Sequence, residues 1–385
     1  MALAASLGMG VAFLNLTPVL PVLQASYGVS NARMGMLVTA LILTHSLVQV
    51  PSGLVVDKLG VRMGVLLALG LGFLGCFLSV FFQNYGFILA MRLLTGMGTG
   101  LSFVAGLQYA TSHAREDKKL QVQALFGGLI NIGSVVPFFT SSVLLGIDGR
   151  LIHLLTALFF LLPLLAVLVW GENPREKGGF SKIRLSQILR PGPAWTLGFS
   201  HAVFFGGMMT IGTWITSYLL KTLTAPVWLP WIGIVGGLVI GVSAGGRFLG
   251  AWMTPWISPK NLILSALILL VLSYVGLGVT RTLTPSLALL GIAALMNSVT
   301  FGSVFYLAYR YSPPQIAGTT IGLVNFIASI GAFLFPIFFG YLLDETGTFT
   351  IPFLFLSALA LLSLLRVCTL PAKPGEPVTA VPHLG

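Results

Sequence analysis

Apolar runs long enough to cross a bilayer follow one another through almost the whole of this 385-residue chain, and twelve can be laid down. A spanning helix needs about 20 apolar residues, because lipid offers a bare backbone no partner and only helices or closed barrels satisfy themselves there. The runs fall near 3–26, 34–56, 63–82, 86–110, 121–146, 151–170, 195–220, 229–252, 262–280, 286–309, 317–342 and 350–367. Only 8% of residues are charged, against roughly a quarter in soluble domains. The expectation is an all-α, polytopic membrane protein. Met1 leads straight into the first run with no charged stretch before it, and that run carries Pro18 and Pro21, so it reads as a spanning helix rather than a cleaved signal.

The net charge of +11 has an ordinary explanation in such a chain. With both termini cytoplasmic, Lys58, Arg62, Arg115, Lys118, Lys119, Arg175, Lys177, Lys182, Arg184, Arg190, Arg247, Lys260, Arg310, Arg366 and Lys373 fall on the inner side, and only Arg33, Arg150, Lys221 and Arg281 on the outer. That bias is the positive-inside pattern and sets the orientation. It calls for no nucleic acid. Cys76 and Cys368 sit in well-separated segments, so neither a disulfide nor a metal site is expected. The longest polar stretch divides the chain into 1–170, a cytoplasmic linker at 171–193, 194–368 and a cytoplasmic tail at 369–385. Within the linker, Phe180, Ile183 and Ile188 alternate with Lys182, Arg184 and Gln187. That suits either a short helix on the inner membrane surface or a solvated connection.

Between the second and third runs lies Gly53-Leu-Val-Val-Asp57-Lys58-Leu-Gly60-Val-Arg62-Met-Gly64, a polar turn closed by glycines. Such a turn lets two helices reverse tightly at a membrane surface. It resembles the hairpin of the major facilitator superfamily, with Gly53, Asp57, Gly60 and Arg62 on the motif. Arg92-Leu-Leu-Thr-Gly96-Met-Gly98 resembles that family's fourth-helix motif. The resemblance covers essentially residues 1–370 and implies twelve transmembrane helices in two six-helix bundles that rock about a central cavity. The halves also look repeated. Gly128-Leu-Ile-Asn131 with Pro137 recurs as Gly322-Leu-Val-Asn325 with Pro336, an offset of 194, and the Gly53 hairpin has a worn copy at Gly250, an offset of 197.

Polar groups at membrane depth are costly and mark places to look. The nine acids, Asp57, Glu116, Asp117, Asp148, Glu172, Glu176, Asp344, Glu345 and Glu376, all fall in loops, tails or helix ends. A buried carboxylate, the usual proton carrier in such transporters, is therefore not expected. Arg92 lies about five residues into the fourth run with Thr95, Thr99 and Ser102 on one stripe; it either serves transport or braces helix packing. His45, at the middle of the second run with Gln49 and Ser52, could bind an anion or carry a proton, or bridge two helices. His201 is a weaker candidate of the same kind. His153 and His113 are expected at solvated ends. Arg247, near the inner end of the eighth run, reads as a snorkelling or hairpin-bracing cation.

The resemblance places Asn131 and Asn325 facing each other across the cavity, as ligand contacts or interhelical hydrogen bonds. It also puts Asn15, Trp214 and Asn297 on cavity-lining helices. The Gly-Leu-Ile-Asn-Ile-Gly133 run resembles the Gly-Asn-rich signature of nitrate and nitrite porters, which carry an arginine inside the second helix where this chain has His45. No phosphate-binding loop, metal-ligand cluster or nucleophile motif appears, so no enzyme and no cofactor is expected. The reading is a monomeric secondary transporter of the inner membrane, moving a small solute by exchange or on an ion gradient. The solute is anionic or neutral rather than cationic, and a proton, if coupled, rides on a histidine. An exporter of lipophilic compounds and a non-transporting receptor or assembly factor of the same fold are the other readings. Nothing in the sequence names the solute.

Overall fold

In a computed structural model of the chain, residues 1–115, 118–172, 192–222, 231–312 and 317–371 are described. They form helices, and eleven of these are long and apolar enough to cross a membrane, twelve if a bent pair counts as one span. The linker expectations at Phe180, Ile183 and Ile188 lie outside the described residues.

Most spans match the apolar runs within a few residues, but three expected as single helices are broken. The first stops at Leu14, passes through a 3-10 turn at Thr17–Val19 and resumes at Leu20–Tyr27. Pro18 and Pro21 cause this, since proline has no N–H to donate and its ring crowds the carbonyl four residues back. The second divides into Asn31–Leu47 and Gln49–Leu59, bent by 56° beside Pro51. The tenth divides at Thr300 into Leu283–Val299 and Phe301–Arg310. The remaining spans are Val61–Leu78, Tyr85–Ser112, Lys119–Ile147 and Arg150–Trp170, then Pro193–Thr222, Ile232–Met253, Pro259–Val279, Ala317–Thr346 and Thr350–Cys368.

Packing repeats with a period of six spans. The first packs on the fifth as the seventh does on the eleventh, the second on the fourth as the eighth on the tenth, and the third on the sixth as the ninth on the twelfth. Small residues make the matching approaches. A Cβ on Gly96 of the fourth span would strike the Leu41 carbonyl of the second, and one on Gly250 of the eighth would strike the Val299 carbonyl of the tenth. Without hydrophobic drive between helices in lipid, such close backbone contact is a main source of cohesion.

The two halves meet chiefly along the second and eleventh spans and along the fifth and eighth. At the end of the molecule bearing Asp344 this seam is tight. Asp344 accepts from the Asn31 backbone at 2.9 Å and its side chain at 2.7 Å, and from the Ala32 backbone at 2.9 Å. Thr39 donates to the Phe333 carbonyl at 3.1 Å, and a Cβ on Gly35 would lie 2.7 Å from the Pro336 carbonyl. Toward the opposite end, which bears the Asp57 hairpin, the halves separate around a cavity.

At that hairpin Gly60 takes φ 85°, a conformation that glycine adopts without strain. Arg62 donates to the Leu168 carbonyl at 3.0 Å, tying the turn to the end of the sixth span. Asp57 is exposed.

Candidate functional site

The cavity holds about 520 Å³ and draws on the first, second, fourth, fifth, seventh, eighth, tenth and eleventh spans. Its wall follows helical spacing: Ile240, Ser243 and Arg247 on the eighth span, Asn297, Phe301 and Phe305 on the tenth, and Gln123, Gly127 and Asn131 on the fifth. All the lining comes from mid-depth or from the Asp57 side of the spans. Among the described residues no aspartate or glutamate lines it, and Arg247, His45 and His201 are its titratable groups.

Arg247 departs from the bracing role expected for it. Its guanidinium lies over the Phe301 ring, 4.1 Å from the centroid, and Nη1 donates to the Gly127 carbonyl of the opposite half at 3.3 Å. A Cβ on Gly127 would lie 3.0 Å from that nitrogen. An arginine has five N–H donors, and one carbonyl leaves most of them free for a solute. The eighth-span periodicity with Ser243 was the signal that could have placed Arg247 on the cavity face.

His45 is 6% exposed and sits at the start of a chain of hydrogen bonds that crosses between the halves. The Thr99 hydroxyl gives its proton to the Gly96 carbonyl at 3.0 Å. It therefore receives one from His45 Nδ1, 3.1 Å away. That leaves Nε2 as an acceptor for the Gln49 amide at 3.0 Å, and Gln49 Oε1 accepts in turn from Asn325 of the eleventh span at 3.0 Å. Phe13 and Phe103 flank the imidazole at 5.4 and 5.9 Å. Gln49 went unrecognised as a bridge in the sequence because only the fold brings it to Asn325.

His201 is caged by Phe205, Phe301 and Phe305, with ring centroids 6.3, 5.8 and 5.0 Å away. Its Nδ1 is buried without a hydrogen-bond partner. Asn131 faces the cavity. Asn297 also lines it, its amide donating to the Tyr274 hydroxyl at 2.9 Å.

Three expected contact residues lie elsewhere. Arg92 is 5% exposed and outside the cavity wall. It donates to the carbonyls of Ala12 at 2.7 Å, Phe13 at 3.3 Å and Leu37 at 3.1 Å, to the Val38 carbonyl, and to Asn15 Oδ1 at 2.8 Å. The broken first span supplies part of this cradle, since the last carbonyls of a helix have no partner within it. A buried charge persists when hydrogen bonds surround it, and here they do. The bracing alternative for Arg92 fits this geometry. Asn15 is locked into the same knot, donating to Thr156 Oγ1 at 3.1 Å while its carbonyl accepts from Ser141 at 2.9 Å. Trp214, 1% exposed, donates to the Pro336 carbonyl at 3.0 Å and stacks on Phe339. His153, expected at a solvated end, is 5% exposed because the sixth span buries that face. His113 is exposed and lies against Tyr109.

Comparison with known proteins points one way. A family model described as Major Facilitator Superfamily matches residues 1–336. The chain is 25% identical to a nitrite extrusion protein of Bacillus subtilis, over 86% of this chain and 83% of that one. It is 23% identical to a Thermus thermophilus protein whose name gives nitrate/nitrite antiport as its probable activity, over 89% and 84%. It is 22% identical to a D-galactonate transporter of Escherichia coli, over 89% and 87%. Among solved structures, a bacterial homolog of the human lysosomal transporter Spinster, inward-facing and occupied, shares the fold with a TM-score of 0.75, 15% identity and 95% of each chain covered.

Proposed function

This chain belongs to the major facilitator superfamily and is an integral membrane transporter of a small solute, and from that premise we propose that the solute is a monovalent anion held by Arg247. One observation carries the reading: the cavity presents a guanidinium with free donors and, among the described residues, no carboxylate to neutralise it. A charge-assisted hydrogen bond to such a group contributes about 1.5–3 kcal/mol. A cation would be repelled by that charge. The relatives named above are associated with nitrite, nitrate and galactonate, each an anion, which supports the same class.

The seam closed by Asp344 and the cavity on the Asp57 side fit an arrangement open toward the Asp57 face. The described cations Lys58, Arg62, Arg115, Lys118, Lys260, Arg310 and Arg366 cluster at that face, so the positive-inside rule makes it cytoplasmic, in the inner membrane, with both termini on that side. Segments 1–170 and 194–368 then rock against each other about the solute. Asn131, Asn297, Asn325 and His45 belong to the polar lining, and His45 is the group that would carry a coupled proton.

Uptake of labelled monovalent anions and cations into proteoliposomes tests this. Anion uptake that is lost in Arg247→Gln supports the proposal. Transport of a cation unaffected by that substitution rejects it, and returns the lipophilic-exporter reading to the front.

A further inference from the structure

Resting on the anion reading, we infer that the solute is an organic monocarboxylate with an aromatic or compact apolar body, not an inorganic oxyanion. The first ground is room. A four-atom oxyanion displaces on the order of two water volumes, roughly 60 Å³. The cavity holds about 520 Å³, within the range of sites that enclose whole organic ligands.

The second ground is the wall. Phe13, Phe103 and Phe126 from the first half face a space shared with Phe205, Phe301 and Phe305 from the second. These rings form two connected clusters. In the first, Phe103 lies 6.2 Å from Phe126 and 5.9 Å from His45. In the second, Phe305 lies 4.9 Å from Phe301 and 5.0 Å from His201. An ion whose hydration shell must be replaced on every side gains little from phenyl rings. An apolar body stacked between them gains a great deal, because aromatic edges and faces pack specifically as well as bury area.

The third ground is that the charge sits at one edge of this apolar space. Arg247 rests on Phe301, itself a member of the second cluster. His201 in the same cluster carries the buried, unpartnered Nδ1. A carboxylate on Arg247 would leave its body between the two sets of rings, beside that nitrogen. The solute is thus read in two parts, the head by the guanidinium and the body by phenylalanines from both halves, so that only a solute with both parts draws the halves together.

Binding to the purified chain in lipid nanodiscs tests this, with sodium benzoate, phenylacetate, nitrate and nitrite, and neutral benzyl alcohol, measured calorimetrically. Benzoate or phenylacetate should bind at least about tenfold more tightly than nitrate, and benzyl alcohol should not compete. Phe103→Leu and Phe305→Leu should each narrow the carboxylate preference severalfold while nitrate affinity stays unchanged, and Arg247→Gln should weaken the binding of every anion roughly 10- to 100-fold. Nitrate binding more tightly than either carboxylate, still dependent on Arg247, overturns the inferred class and leaves the anion reading standing. Benzyl alcohol binding as well as benzoate overturns it too. Anion affinities unaltered by Arg247→Gln overturn the anion reading itself.

Discussion

The carboxylate of Asp344, near the end of the eleventh span, caps the first turn of the second span at Asn31. It takes the Asn31 N–H at 2.9 Å and the Asn31 side-chain amide at 2.7 Å, while its other oxygen takes the Ala32 N–H. An acid at a helix N-terminus meets unpaired N–H groups and the positive end of the helix dipole. This one belongs to the opposite half of the molecule, so the cap is also a clasp between the halves.

Removing the clasp should favour the conformation open at the Asp344 end. An exposed cap of this kind contributes about 1 kcal/mol, so Asp344→Ala should raise the population of that conformation roughly fivefold. A cysteine at Val38, buried between the seam residues Gly35 and Thr39 in the second span, would report it through faster modification by a membrane-impermeant thiol reagent added from that side. Unchanged labelling would mean that Gly35, Thr39 and their partners hold the seam without help.

Arg92 is expected to matter for folding rather than for solute affinity. Its substitution by Ala strands Asn15 Oδ1 and the carbonyls of the broken first span, and a buried acceptor left unsatisfied costs about 1–3 kcal/mol. Arg92→Lys falls between, because three donors cannot reach five acceptors. Thermal unfolding in detergent should show both losses, with near-normal solute affinity in the protein that remains folded. Full stability combined with lost binding would return Arg92 to the transport machinery.

Gly250 should tolerate no larger residue. A Cβ there meets the Val299 backbone carbonyl, which a rotamer change cannot move. Gly250→Ala should lower stability by about 1–3 kcal/mol through overpacking. Gly322, whose Cβ would meet nothing, should accept alanine without cost and serves as the control in the same unfolding assay.

Much of this architecture could be read before any coordinates. Run length and the scarcity of charge set the number of spans, since lipid admits few alternatives. The Gly53–Arg62 hairpin and the repeat between Asn131 and Asn325 indicated two related halves. The site was only partly legible. His45, His201, Asn131, Asn297 and Asn325 do line the cavity. Arg92, the more conspicuous intramembrane cation, does not, because a one-dimensional stripe cannot show that the first span breaks at Asn15 and offers it carbonyls. Arg247 was undervalued for a related reason. Its distance from the helix end suggests snorkelling, whereas it shares with Ile240 and Ser243 the face that lines the cavity. The two phenylalanine clusters were invisible as clusters, since Phe103 and Phe305 meet a common cavity only after the halves assemble.

The hydrogen-bond chain from Thr99 to Asn325 makes a prediction about pH. With Nδ1 donating to Thr99 and Nε2 accepting from Gln49, His45 is neutral as drawn. A second proton turns Nε2 into a donor, so Gln49 must reverse and the bond to Asn325 loses its present sense. It also adds positive charge to the wall of an anion site. Anion affinity should therefore be higher with His45 protonated, rising as pH is lowered, and His45→Gln should flatten that dependence. The facing groups include the charged Arg247 in the cavity and the neutral Thr99, Gln49 and Asn325, with no carboxylate among the described lining residues. A slope that survives His45→Gln would move the titrating site to His201.

The most direct test is equilibrium binding of a monovalent anion to the purified protein, wild type against Arg247→Gln. Loss of one charge-assisted contact of about 1.5–3 kcal/mol predicts affinity weakened roughly 10- to 100-fold with the fold intact. Equal affinity in the two proteins would contradict the account at its centre.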